Sequence, residues 1–249
     1  MADPDASQWV DDTMPKVPCR VGLVVKVIGA QANGRSNVAC MRLTKYEHSC
    51  VLIEDEGARV LIDPGSYSSG FEALTELDAV LITHQHADHY DADRLGPLLA
   101  NNPGARVYAD DATVALLREK GIEASVASEG ERINAGTEVT VHGVNHAVIH
   151  PDIPVIPNVG YLVGGRFFHP GDAFTVPDVP VDVLGLPTGA PWLKASEAVD
   201  YLRAVAPRIA VPIHEAVLAR PAMHYKLFKK LALSGTSVKV VEPGTTVDI

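Results

Sequence analysis

From Met41 onward, short apolar runs with β character alternate with amphipathic stretches. "MRLTKY", "SCVLIE" and "ARVLIDPG" are three strand-like runs separated by turn residues, and "AVLIT" is the uninterrupted apolar run of a strand buried on both faces. A short helical stretch is expected at residues 71–77, with helices at 92–100 and 112–120 and a strand at "ARVYA" between the latter two. Further strands read at "EVTVHGV", "VGYLVGG" and "RFFH". The C-terminal half adds "VDVLGLP", a helix over 195–205, the strand "RIAVPI", a helix opened by Pro221 and a closing strand at "SVKVVEPG". This order predicts an α/β domain whose sheets carry helices on their outer sides, with prolines crowding the loops at 151–157 and 177–191.

The first forty residues break the pattern. Residues 1–18 mix acids, prolines and polar residues without periodicity, residues 20–28 read as a strand, and residues 30–37 are again loop-like. Residues 1–40 are therefore expected to be a partly disordered N-terminal extension ahead of a domain spanning 41–249. The shift at Met41 also makes it an alternative start of translation, which the mass of the native N-terminus checks.

Composition narrows the partners. With 21 basic against 31 acidic residues, the net charge of -10 repels phosphate backbones and anionic lipid, and "YKLFKK" reads as the solvated face of a helix rather than a basic patch. The expectation is a small-molecule substrate, no nucleic acid and no membrane, with a homo-oligomer left open. Cys19, Cys40 and Cys50 show no CxxC spacing, and the apolar run "VGLVVKVIGA" is too short to span a bilayer and follows an acidic segment. Both point to the cytoplasm.

Chemistry concentrates just after "AVLIT", in the pattern Thr83-His84-x-His86-x-Asp88-His89. Two histidines two apart in extended backbone project to one side and can reach one cation; Asp88 and His89, at the expected helix start, can face a second. A polar turn with Asp88 as helix N-cap is the plain alternative for any one of these residues, but not for the group. A dinuclear site needs further donors, and four residues stand at other strand ends: Asp63, His146, Asp172 in "PGDA", and His214 after "RIAVPI". His142 and His224 read as structural.

"THQHADHYD" resembles the HxHxDH signature of the metallo-β-lactamase superfamily, with His146, "PGDA" and "PIH" in matching order over residues 41–249. "YEHSCVLIEDEGARVLIDPG", "GRFFHPGD" and "AVPIHEA" further resemble bacterial and archaeal metal-dependent hydrolases related to ascorbate-6-phosphate lactonases. The resemblance implies an αββα sandwich in which His84, His86 and His146 hold one divalent ion, Asp88, His89 and His214 a second, and Asp172 bridges both. It makes Asp63 the acceptor that fixes a ligand imidazole and puts His48 and His169 near the pocket. Glu47 stands where relatives often have glycine, and Ala173 where a hydroxyl often follows the bridging aspartate.

Imidazole and carboxylate donors without thiolate favour zinc, with manganese or iron as alternatives. Two such ions about 3.5–4 Å apart lower the pKa of a shared water from about 15.7 to roughly 7, which is hydrolytic chemistry. Asp88 is expected to orient that water, and His150 and His169 are candidate proton donors or oxyanion stabilisers. Tyr90, Tyr161 and Trp192 are candidate apolar contacts in the pocket, with a place in the core as the alternative for Tyr161 and Trp192. The expected activity is hydrolysis of a small ester, lactone or related bond; phosphodiester hydrolysis on the same fold, or metal binding without catalysis, are the alternatives.

Overall fold

A computed structural model describes residues 40–249. The strand at 20–28 and the N-terminal extension lie outside the described residues, Cys40 excepted.

Four strands open the domain: β1 (Arg42–Lys45), β2 (Val51–Asp55), β3 (Ala58–Ile62) and β4 (Ala79–Ile82). β4 shows why its sequence is apolar throughout, since Ala79 and Leu81 face one core while Val80 and Ile82 face another. Helix α1 (Ala92–Ala100), β5 (Arg106–Ala109), α2 (Asp111–Glu119) and the short β6 (Ser125–Val126) and β7 (Arg132–Asn134) follow. β8 (Glu138–His142), β9 (Gly160–Val163), β10 (Phe167–His169) and β11 (Val183–Pro187) lead to α3 (Ala195–Val205), β12 (Ile209–Ile213), α4 (Ala222–Leu231), β13 (Ser237–Val238) and β14 (Thr246–Asp248).

The strands form two seven-stranded sheets, ordered β14-β1-β2-β3-β4-β5-β6 and β13-β12-β11-β10-β9-β8-β7. Each is antiparallel in one half and parallel in the other, with the change at β3 and at β10. Inner faces of both sheets share one core, including Leu43, Ile53 and Leu81 from the first and Val141, Tyr161 and Val211 from the second. The first sheet's outer face packs on Leu95 and Leu98 of α1 and Val114 and Leu117 of α2. The second sheet's outer face packs on Val199 and Leu202 of α3 and Phe228 of α4. The layers are therefore helix, sheet, sheet, helix, the αββα sandwich that the resemblance implied.

Two expectations need correction. Residues 71–77 form no helix; Leu74 N–H closes a turn on the Phe71 carbonyl, and buried Phe71 is held under the Arg94 guanidinium, 4.8 Å from its ring centroid. The closing strand at "SVKVVEPG" is only the two residues of β13. The strand that ends the fold is β14, which pairs antiparallel with β1 at the other end of the described domain.

Candidate metal centre

Strand ends carry the site. β3 delivers Asp63, β4 leads into Thr83–His89, β8 is followed by His146, β10 by Asp172 and β12 by His214. Asp91, not Asp88, caps α1 by accepting from the Asp93 and Arg94 N–H groups, so Asp88 is left facing the centre.

Two groups of donors result: His84, His86, His146 and Asp172, and His48, Asp88, His89 and His214, with ligand atoms within 4.8 Å of one another in each. In the first, His84 Nε2 and His86 Nδ1 are 3.0 Å apart, and His146 Nε2 lies 3.4 Å from Asp172 Oδ2. In the second, Asp88 Oδ2 lies 3.4 Å from His214 Nε2 and 3.8 Å from His89 Nε2. Asp172 joins them, because its other oxygen, Oδ1, is 3.0 Å from His89 Nε2 and 3.1 Å from His214 Nε2.

The far side of each imidazole is tied down. His89 Nδ1 donates to Asp63 Oδ2 at 2.7 Å, His146 Nδ1 to the Ala147 carbonyl at 2.5 Å and His214 Nδ1 to the Gly189 carbonyl at 2.6 Å. Thr83 Oγ1 gives its proton to Asp63 Oδ2 at 2.8 Å and accepts from His84 Nδ1 at 3.0 Å. With Nδ1 as donor in all four, each Nε2 faces inward and offers its lone pair to a cation once it is unprotonated, the arrangement that metal-binding histidines require. His89 Nε2, His146 Nε2, His214 Nε2 and Asp172 Oδ1 are buried and make no directed hydrogen bond. Buried polar atoms without partners are rare, and this convergence fits divalent cations held between them.

Electrostatics agree. Burial pushes His84 and His86 below the ordinary imidazole range, and burial pushes His48 down to about 4. Burial alone would also depress His89 and His214, but Asp172 outweighs it, aided at His89 by Asp63, and holds His89 well up and His214 up to about 9. Asp172 is held well below the usual carboxylate range against burial by His89 and His214, and Asp88 is held low against burial by the nearby His214 and by His48. The carboxylates are thus ready as anionic donors, while His89 and His214 must give up protons to a cation.

Backbone strain gathers here as well. Glu47, His48, Asp63 and His214 are non-glycine residues at positive φ, of 64°, 35°, 51° and 61°. The left-handed φ of Glu47 is a backbone conformation that favours glycine.

Other predicted residues fall in different places. His48 is buried 3.1 Å from Asp88 Oδ2, and the Ala216 N–H approaches its Nδ1 at 3.3 Å, so Nε2 is the donor to Asp88. His169 is fully buried, with Nε2 donating to the Ser49 carbonyl and Nδ1 accepting from Gly171 N–H; both nitrogens are used in fixing the turn before Asp172, which removes it as a proton donor. His150 belongs to neither group; its side chain is 60% exposed and accepts from Asp152 N–H within its own turn. Tyr161 is core, its hydroxyl donating to the Ile82 carbonyl, and Tyr90 packs partly buried in the core under α1 and α2. Trp192, expected only as an apolar contact, donates its indole N–H to Asp172 Oδ2 at 2.8 Å.

A sequence profile of the Beta-lactamase superfamily domain matches residues 42–214, a span that takes in every donor of both groups. The chain belongs to the β-lactamase superfamily. Within that superfamily it is 53% identical over 189 residues to Protein Rv0786c of Mycobacterium tuberculosis, covering 73% of this chain and 87% of that protein. It is 26% identical over 239 residues to a UPF0173 metal-dependent hydrolase of Aeropyrum pernix, covering 83% of this chain and 97% of the relative. Igni18, a metallo hydrolase from Ignicoccus hospitalis, shares the fold with a TM-score of 0.67 at 23% identity, over 84% of this chain and 98% of its own. Among the described residues, no helix of this superfamily member is long and apolar enough to cross a membrane.

Proposed function

We propose that this β-lactamase superfamily member is a metal-dependent hydrolase with a dinuclear centre, zinc being the favoured metal, that cleaves a small ester, lactone or related carbonyl bond. The observation that carries the reading is the convergence of three histidine Nε2 atoms and Asp172 Oδ1, all buried and all without directed partners. His84, His86 and His146 would hold one ion, Asp88, His89 and His214 the other, and Asp172 would bridge them. When bound, such ions supply Lewis acidity and a water that ionises near neutral pH.

The chain's own groups set the rest. Asp88 faces the centre through Oδ2 while its side chain keeps 22% exposure, which supports Oδ1 as the group that would orient an attacking water and take its proton. His48 holds that same Oδ2 through Nε2–H. The ion pairs of Asp88 and Asp172 are all with histidines. With no Lys or Arg among those partners, the site suits a neutral carbonyl better than a phosphate dianion. A cytoplasmic setting belongs to the same reading.

Metal analysis coupled to a hydrolase substrate panel on one preparation tests it. The expected result is two ions per chain, one for each group of donors, with ester or lactone hydrolysis, and loss of both in His84→Ala and Asp172→Ala. Protein purified without metal, or variants keeping full metal content, would overturn the dinuclear reading. Hydrolysis of a small diester with none of lactones would replace the substrate class, and metal without any hydrolysis would leave a binding protein.

A further inference from the structure

Trp192 lies in the turn before α3, buried, with its ring centroid 6.0 Å from that of His146 and 6.5 Å from that of His214, and so beside a donor of each half-site. Its indole N–H meets Asp172 Oδ2 at 2.8 Å, a charge-assisted hydrogen bond to the one carboxylate that touches both groups. The backbone of Asp172 is fixed independently, its N–H donating to Asn158 Oδ1 and its carbonyl accepting from Ala147 N–H. The carboxylate plane is not fixed by that backbone, because the terminal sp³–sp² torsion of an aspartate is broad. Nor does the next side chain help, since Ala173 has no hydroxyl to offer.

We propose that Trp192 is the positioning residue of the bridging carboxylate: its N–H sets the rotation of Asp172 so that Oδ1 is presented to His89 and His214 and Oδ2 to His146. An indole suits this task because it donates only, carries no charge and cannot itself become a ligand. Phe174, 5.1 Å away between ring centroids, packs against Trp192 and keeps it in place. The inference rests on the reading of Asp172 as a bridge between two ions, and not on which bond is cut.

Zinc binding to chelator-treated full-length protein tests it, read by competition with a chromophoric chelator. Trp192→Phe is expected to weaken one of the two zinc equivalents by about 10–100-fold, the effect typical of losing a hydrogen bond to a metal ligand. A packing role alone would lower the melting temperature of metal-free protein while leaving zinc affinity within about threefold of native, and that result would overturn the proposal. Should Trp192→Phe fail to fold, a Trp9→Phe protein leaves Trp192 as the only tryptophan of the chain, and its emission is followed as Zn²⁺ or Co²⁺ is added. A change with both ions, with stronger quenching by Co²⁺, is expected; an emission indifferent to saturating amounts of either ion overturns the proposal. Trp192-dependent zinc binding without hydrolysis would sink the hydrolase reading alone, whereas hydrolysis with Trp192-independent zinc binding would sink this inference alone.

Discussion

Asp63 accepts from Thr83 N–H and Thr83 Oγ1 and from His89 Nδ1, so one buried carboxylate orients His89 directly and His84 through the threonine hydroxyl. Asn at this position would turn an amide N–H₂ toward one of those donors, and Asp63→Asn should lower the affinity for both ions by about 10–100-fold in chelator competition. Proton linkage gives a second expectation. The folded-state pKa of His214 is about 9 against an ordinary 6.5, so the stability it contributes is full below pH 6.5 and lost as pH rises through 9. Raised His89 acts in the same direction. Metal-stripped protein should therefore melt at falling temperatures from pH 6.5 to 9 by calorimetry, while its metal affinity rises over the same window as both imidazoles lose their protons. Much of this site was legible in the chain, because the spacing from His84 to His89 and the strand-end positions of Asp63, His146, Asp172 and His214 are local signals. Trp192 was not, since an indole in "APWLK" meets Asp172 only through the packing of α3's leading turn. His150 is the opposite case: it is near His146 in sequence, but the turn closed by Ile153 N–H on its carbonyl leaves it in solvent and outside both groups of donors.

Among the elements, the loop after β3 and the turn after β4 are pressed together, Ser66 N–H donating to the Ala87 carbonyl at 2.8 Å. A Cβ on Gly65 would stand 1.9 Å from the Asp88 carbonyl oxygen. Backbone has no cheap way to yield there, so Gly65→Ala should displace Asp88 and His89, lower the stability by about 3 kcal/mol or more and weaken metal binding, as denaturant melts and metal titration would show. At the start of α1, Asp91 both caps the helix and binds Arg94 Nε at 2.8 Å, while Arg94 also reaches the Ser68 carbonyl and Glu72. Asp91→Ala is expected to cost about 1–2 kcal/mol in the same melts. Helices α1 and α3 and the buried central strands were readable from periodicity and uniform apolar runs. Residues 71–77 were not, because Phe71 and Leu77 are buried as separate anchors of an irregular connection rather than as one helical face. β14 was missed because its partner β1 lies at the opposite end of the domain sequence, and three residues carry too little pattern to announce it.

On the scale of the whole molecule, the first sheet supplies His84, His86, Asp88 and His89, and the second supplies His146, Asp172 and His214. Each group therefore draws donors from both sheets. Binding to the folded chain alone adds about 4 kcal/mol when free metal exceeds Kd a thousandfold, so chelation should lower the melting temperature and metal should restore it. Away from the centre the two sheets meet mainly through apolar contact, with a few directed bonds such as those of Tyr161 Oη to the Ile82 carbonyl and Lys45 Nζ to the Pro212 carbonyl; apolar contact permits small sliding and opening motions, whereas a coordinated ion would tolerate almost none. With ions bound, the centre would work as a clasp at one rim of the sandwich. Taking the metal away should quicken amide hydrogen exchange first in β4 and β12, two fully buried strands, well before the molecule as a whole comes apart.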